Sequence, residues 1–396
     1  MESYLIDWLN LLVRWLHLIA GIAWIGASFY FVMLDNSLSR PEKAADAERG
    51  VSGELWAVHG GGFYCSQKFP LGPQGEALSE NLHWSKWEAY TTWLSGMGLL
   101  AIIYWHGAGT YLIDRNVLAL SPAAAIGISA ASIVGGWIVY DLLCRVLGGR
   151  DGLLAAILFV LIVAAAWALF HVFSARAAYL HIGAIMGTMM VANVAHHIIP
   201  GQRRMVAAIR AGQAPDPQPG IIGKQRSVHN TYFTLPVLFT MISNHYPMTY
   251  SHPYGWLVLA MIMASGVLIR QYFVLRHKHA ANPLLLVAAV ALLGGVIVWL
   301  APAPVASSGE SASYGALRAV LDRRCVNCHA AQPTQEGFAQ PPKGVMLQTA
   351  EQVAQHAPKI AETVGNRYMP IGNLTQMTDE ERALVARWFA AGAKTK

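Results

Sequence analysis

Charge is what this 396-residue chain has least of: 13% of its residues are Asp, Glu, Lys or Arg, whereas 55% are hydrophobic. A soluble globular chain carries about 25% charged residues. The shortage excludes an ordinary water-soluble fold and puts the chain in the membrane class. Cysteine is scarce too. Four cysteines cannot staple a secreted scaffold, and Cys65 and Cys144 lie far from the other two and from each other. A cleavable leader is not evident: the first apolar stretch is long, carries Arg14 and His17 and lacks a basic start, so it reads as a retained span. The net charge of +6 is spread between apolar segments rather than gathered on one face. It therefore reads as membrane topology; lipid is expected as a partner and nucleic acid is not.

What the sequence does have is apolar segments near the roughly 20 residues that a span needs, at roughly 5–34, 84–106, 122–147, 152–174, 178–199, 228–246, 253–276 and 283–301. The fifth and sixth are polar enough to face the interior of a bundle. The expected fold is all-α: a polytopic membrane bundle of about eight transmembrane helices over 1–301, a linker over 302–313 rich in Pro, Ala and Ser, and a small all-α domain over 314–396. Arg40, Lys43, Arg49, Lys68, Arg145, Arg150, Arg203, Arg204, Arg210, Lys224, Arg226, Arg276 and Lys278 fall in odd-numbered loops, and Arg115 and Arg176 in even-numbered ones. The positive-inside rule then makes the odd loops cytoplasmic and turns both termini outward.

Cys325-Val-Asn-Cys328-His329 is the attachment signature of a c-type haem. Two thiols one helical turn apart reach both vinyl groups, and the next residue offers an axial imidazole. A zinc knuckle would need a further Cys or His pair at suitable spacing, and none follows. The second axial ligand is expected at Met369, in Arg367-Tyr-Met-Pro370, with Met346 as the rival. Thr378-Asp-Glu-Glu381 then opens a helix with a capping box. This segment resembles a class I cytochrome c, whose haem is attached outside the cytoplasm.

The membrane part carries unusual clusters: Trp56-Ala-Val-His59-Gly-Gly-Gly-Phe-Tyr64-Cys-Ser-Gln-Lys68, Leu82-His83-Trp84-Ser-Lys86-Trp87-Glu88, Asn193-Val-Ala-His196-His197, Arg226-Ser-Val-His229-Asn230-Thr231 and Ser243-Asn244-His245-Tyr246. Together they resemble the membrane-bound urate hydroxylase family, in which such a domain precedes a cytochrome c. The resemblance implies oxidation of urate to 5-hydroxyisourate with water as the oxygen source. It implies a bacterial inner membrane protein with a periplasmic cytochrome domain, and electrons that pass to a terminal cytochrome c oxidase or another respiratory acceptor. A planar anion calls for cations, amide-type donors and a base. Lys68 and Arg226 are expected to pair with urate, Asn230 and Thr231 to bond its edge, and His59 or His229, with Glu88, to serve catalysis. Asp141 and Arg270 lie at a similar depth, as internal ion-pair members or as site residues. Two other functions stay in view: a non-catalytic carrier of electrons from quinol to an external partner, and a purine transporter with a cytochrome appendage. The transporter lacks a visible inverted repeat.

An inner substrate site and an outer haem are separated by a hydrocarbon core of about 30 Å, which favours an intermediate redox centre. His181 and His245 fall at matching depths on antiparallel helices, as do His196 and His229, and His17 lies near mid-membrane. These histidines either ligate a b-type haem or hydrogen-bond at helix interfaces. Of the pairs, His181 and His245 leave the inner cluster free for urate.

Overall fold

The computed structural model describes residues 2–277, 280–301, 312–335 and 338–395. Most of the expected linker, 302–311, lies outside them. Five helices are long and apolar enough to cross a membrane: α1 (Glu2–Ser37, apolar from Tyr4), α3 (Pro122–Val146), α4 (Asp151–Phe170), the continuous stretch Ala175–Arg210, and α8 (Gly255–His277). Three further segments expected to span are also helical. These are α2 (Trp87–Leu99, prolonged by a π turn over Leu100–Trp105), α7 (Gln218–Ile242) and the shorter apolar α9 (Leu284–Trp299).

The stretch Ala175–Arg210 has three parts: α5 (Ala175–Ala192), a π turn over Asn193–Ile198, and α6 (Ile199–Arg210). Its apolar window is 67% buried, against 11% for α1, so α5 is the axis of the bundle while α1 faces outward. Around α5 pack α2, α3, α4 and α7. Tyr179, Ile182, Met186 and Met189 form the inner core with Phe173 and Leu259. By contrast α4 is apolar all round, the pattern of a helix that meets lipid on several sides. Starts are set locally. Ser121, followed by Pro122, caps α3 and Ser174 caps α5, each hydroxyl accepting from a backbone N–H three residues on.

One element departs from the all-α expectation. Gly53–His59 (β1) and Gly62–Lys68 (β2) pair antiparallel, with His59 opposite Gly62. Gly60 and Gly61 both take positive φ, 59° and 81°, as the tight primed hairpin turn requires. Lys68 anchors the hairpin to the end of α1 through a 2.5 Å contact with Asp35. We call this the hairpin end of the bundle; the N-terminus of α1 and the tail share the other.

The tail forms a small three-helix unit: α10 (Tyr314–Arg324), α11 (Ala350–Gly365) and α12 (Asp379–Ala390). Leu317, Leu321, Val353, Val385 and Trp388 make its separate core. The capping box at Thr378 forms, with Glu381 N–H donating to Thr378 Oγ1 and Thr378 N–H to Glu381 Oε2. The tail rests on the bundle. Its turn Ile371–Asn373 packs on a second π turn, Ala108–Leu112, so closely that a Cβ on Gly372 would lie 3.3 Å from the Thr110 carbonyl oxygen.

Candidate functional site

Near the hairpin end, three helices project polar side chains into one buried cluster. From α3 come Tyr140, Asp141 and Cys144, all buried. From the π turn after α5 come Asn193 and His197, and from α7 come Arg226, His229 and Asn230. The π turn matters because its wider winding changes the azimuth at which the residues beyond it project, and such bulges gather at functional sites.

Asp141 is the hub. Its Oδ1 accepts from Arg226 Nη2 at 2.8 Å and from His197 Nε2 at 2.6 Å, while Oδ2 accepts from Arg145 Nη2 at 2.7 Å. Arg226 is only 3% exposed and lies 5.1 Å over the Tyr140 ring. Its Nη1 donates to Asn193 Oδ1 at 3.3 Å, and Asn193 Nδ2 donates to the Tyr140 hydroxyl at 2.8 Å and to Asn230 Oδ1 at 2.9 Å. Asn230 Nδ2 donates to the Met190 carbonyl at 3.1 Å. His229 Nδ1–H donates in turn to the Tyr140 hydroxyl at 2.9 Å, which leaves Nε2 with its lone pair, and Cys144 Sγ lies 3.9 Å from Nδ1. One buried donor is left over: Arg226 Nε has no hydrogen-bond partner among the described residues. A buried guanidinium N–H without an acceptor is costly unless a ligand or water supplies one.

Of the residues expected at the site, Arg226, His229 and Asn230 meet here. Thr231 sits beside them, its hydroxyl accepting from Arg270 Nε at 3.0 Å. His59, Lys68 and Glu88 do not join the cluster. His59 is exposed in the hairpin, Lys68 is tied to Asp35, and Glu88, at the start of α2, lies 3.9 Å from His83. Sequence reading missed Tyr140 and underweighted Asn193. Each is a polar group inside an apolar run, which was the available signal.

A cavity of about 410 Å³ opens on the tail side of this cluster, between α1, α2, α5 and α7. His17, Trp24 and Gly187 line it, Arg14, Arg176 and His245 stand toward its tail end, and Thr234 lies toward its floor. Thr234 Oγ1 donates to the Asn230 carbonyl at 2.8 Å, so the cavity reaches within one helical turn of the polar network. His181 does not face it. Its Nδ1 donates to the Ala177 carbonyl and its Nε2 accepts from the Ser129 hydroxyl, both at 2.7 Å. The depth match with His245 came from helix rise, whereas azimuth turns His181 toward α3, so the two are not brought together. His196 stacks on Trp137 instead of facing His229. A second cleft, lined by Glu76, Glu80, Ile209 and Arg210 at the hairpin end, contains none of these groups.

In the tail, Cys325 and Cys328 are free thiols just past the end of α10. Burial pushes the Cys325 thiol up to about 12, with the neighbouring Cys328 adding to the effect, so it stays protonated at neutral pH. His329 Nδ1–H donates to the Val345 carbonyl at 2.9 Å, which leaves Nε2 with its lone pair. The Met369 loop is held by Arg382, whose Nη1 bonds the carbonyls of Met369 at 2.7 Å and Val364 at 2.8 Å. Arg382 Nε is buried without a partner among the described residues. Two thiols, a tautomer-fixed imidazole, a braced methionine loop and an unpartnered guanidinium N–H together fit a covalently attached haem.

No curated protein and no solved structure matches the chain. The family described as urate oxidase N-terminal matches residues 3–301, which takes in the whole bundle, the polar cluster and the cavity, and stops short of the tail. The chain belongs to the urate oxidase N-terminal family.

Proposed function

We propose that the protein is a membrane-bound urate hydroxylase that delivers the electrons of the reaction to a haem c on its own tail. The observation that carries this reading is the buried network of Asp141, Arg226, Asn193, Tyr140 and His229 within a domain of the urate oxidase family, with Arg226 Nε left to donate.

The reaction balances as urate plus water giving 5-hydroxyisourate, two protons and two electrons. Two guanidiniums, Arg226 and Arg145, face the single carboxylate of Asp141, so the cluster keeps positive charge for a urate monoanion. Arg226 Nε donates to the anion, and the amides of Asn193 and Asn230 set the position of its polar edge. His229 accepts a proton from water as oxygen is added, while Tyr140 holds the imidazole through the 2.9 Å bond to Nδ1. Asp141 orients both Arg226 and His197. Cys325 and Cys328 would hold a haem c through thioethers, with His329 and Met369 offering the iron ligands, and the group would supply a one-electron acceptor. The basic loop residues Arg40, Lys43, Arg49 and Arg210 support a cytoplasmic hairpin end and a periplasmic tail in a bacterial inner membrane, with a respiratory oxidase as the onward acceptor.

The test is anaerobic addition of urate to the purified oxidised protein, followed at the c-haem α-band. Reduction by urate is expected, at two haem equivalents per urate consumed. Reduction by quinol alone would establish the carrier instead.

A further inference from the structure

The geometry points to a second redox group inside the bundle: a non-covalent haem b, held through His17 in the cavity between α1, α2, α5 and α7. The inference takes its purpose from the electron-transfer reading above, and it is tested without urate.

Four observations converge on the cavity. The first is the imidazole. His17 Nδ1–H donates to the Thr92 carbonyl at 2.9 Å, with the Ser95 hydroxyl 3.1 Å away, and this fixes the tautomer with a free lone pair on Nε2. Metal-binding histidines are commonly oriented by such a bond to a backbone carbonyl. Gly96 lets α2 approach the ring, since a Cβ there would fall 3.0 Å from His17 Cε1.

The second observation is shape. At about 410 Å³ the cavity falls in the range of cofactor sites, roughly 300–1,000 Å³. Gly21 and Gly187 give it walls without side chains, and a Cβ on Gly187 would meet nothing within 4 Å. A flat macrocycle requires such walls.

The third is charge. Arg14 and Arg176 both line the cavity toward its tail end; each donates to a neutral amide, Arg14 Nη2 to Asn10 Oδ1 at 3.1 Å and Arg176 Nε to Asn244 Oδ1 at 3.0 Å, and neither forms an ion pair with a carboxylate among the described residues. Unpaired cations in an apolar bundle mark a functional anion site. Two guanidiniums match the two propionates of one haem. A neutral quinone would not call for them.

The fourth is position. Asn193 and Arg176 lie about 26 Å apart along the Ala175–Arg210 stretch at 1.5 Å per residue. The cavity occupies the depth between them, from Thr234 by the polar network to Arg176 by the seat of the tail. Held by His17, a haem here would supply a one-electron relay between the substrate site and the tail; two single-electron passages would carry the pair, and the two protons would leave to water.

The test uses the full-length protein purified in detergent. Acid–acetone extraction removes protohaem and leaves haem bound through thioethers on the chain. One extractable protohaem per chain is expected beside one covalent haem. His17→Ala loses the extractable haem and keeps the covalent one, which also reports a folded tail. His17→Met retains it with an altered electron paramagnetic resonance signature. The surface variant His171→Ala keeps it unchanged. A wild-type protein with covalent haem but no extractable protohaem, or with stoichiometric quinone in its place, overturns the proposal. So does a His17→Ala variant with its full protohaem. No arm involves urate, so failure here leaves the substrate reading to its own assay.

Discussion

In the tail, Cys325, Cys328 and His329 come within one turn of chain, and Val345, which fixes His329, and Arg382, which braces the Met369 loop, belong to the same small unit. In the bundle, Tyr140, Asn193 and Arg226 reach one another from three helices, and every bond among them spans at least 33 residues of sequence. The first arrangement is local and survives changes elsewhere. The second exists only while α3, the π turn and α7 keep their register, so stability and function are inseparable there.

Variants can break that contrast or sharpen it. The largest effect is expected from replacing Cys325 and Cys328 together by Ser. Covalent haem and urate-linked reduction are lost completely, while the bundle keeps its helicity and melting behaviour; mass spectrometry and circular dichroism read the two halves separately. Next comes Arg226→Met, which leaves Asp141 with only Arg145 and His197. Activity is expected to fall by more than about 100-fold and stability by about 3 kcal/mol, the low end for a broken buried pair because two partners remain. Arg226→Lys does not restore activity, since an ammonium cannot reproduce the fork. Steady-state kinetics and thermal unfolding check both. Tyr140→Phe removes one hydroxyl from between Asn193 and His229. A loss of about 1–2 kcal/mol is expected, with kcat lowered roughly 10-fold and KM little changed. The smallest effects belong to His59→Ala and Lys68→Ala. The Lys68–Asp35 pair is about 40% exposed on both sides and contributes at most about 1 kcal/mol, so activity is expected to stay within about twofold. A large loss from either would return the hairpin to the substrate site.

How much of this was legible depended on the dimension in which the information lay. The motif from Cys325 to His329 is contiguous and reads directly from five residues. The eight apolar segments read from hydropathy, and all are helical, though five meet the length and composition of a span. Arg226, His229 and Asn230 were visible as polar residues on an apolar segment. Tyr140 was not, because a tyrosine in a span resembles an interface anchor until its hydroxyl is seen between Asn193 and His229. His181 marks the limit of arguing from rise alone. Its depth is readable at 1.5 Å per residue, but the direction of its ring depends on helix rotation, which packing against Ser129 decides. The hairpin was obscured by its glycines, since Gly60-Gly61-Gly62 reads equally well as a ligand-approach loop until Gly60 and Gly61 are seen to turn the chain.

The contact of Gly372 with Thr110 has a kinetic meaning. Because the tail is seated on the bundle, whatever passes between them passes within one molecule. Encounter and orientation are settled in advance, and the second site is met at the effective concentration of a tether rather than that of a solution. The rate of such a hand-off is first order. It does not fall on dilution, and added salt, which slows the meeting of separate charged proteins, leaves it unchanged.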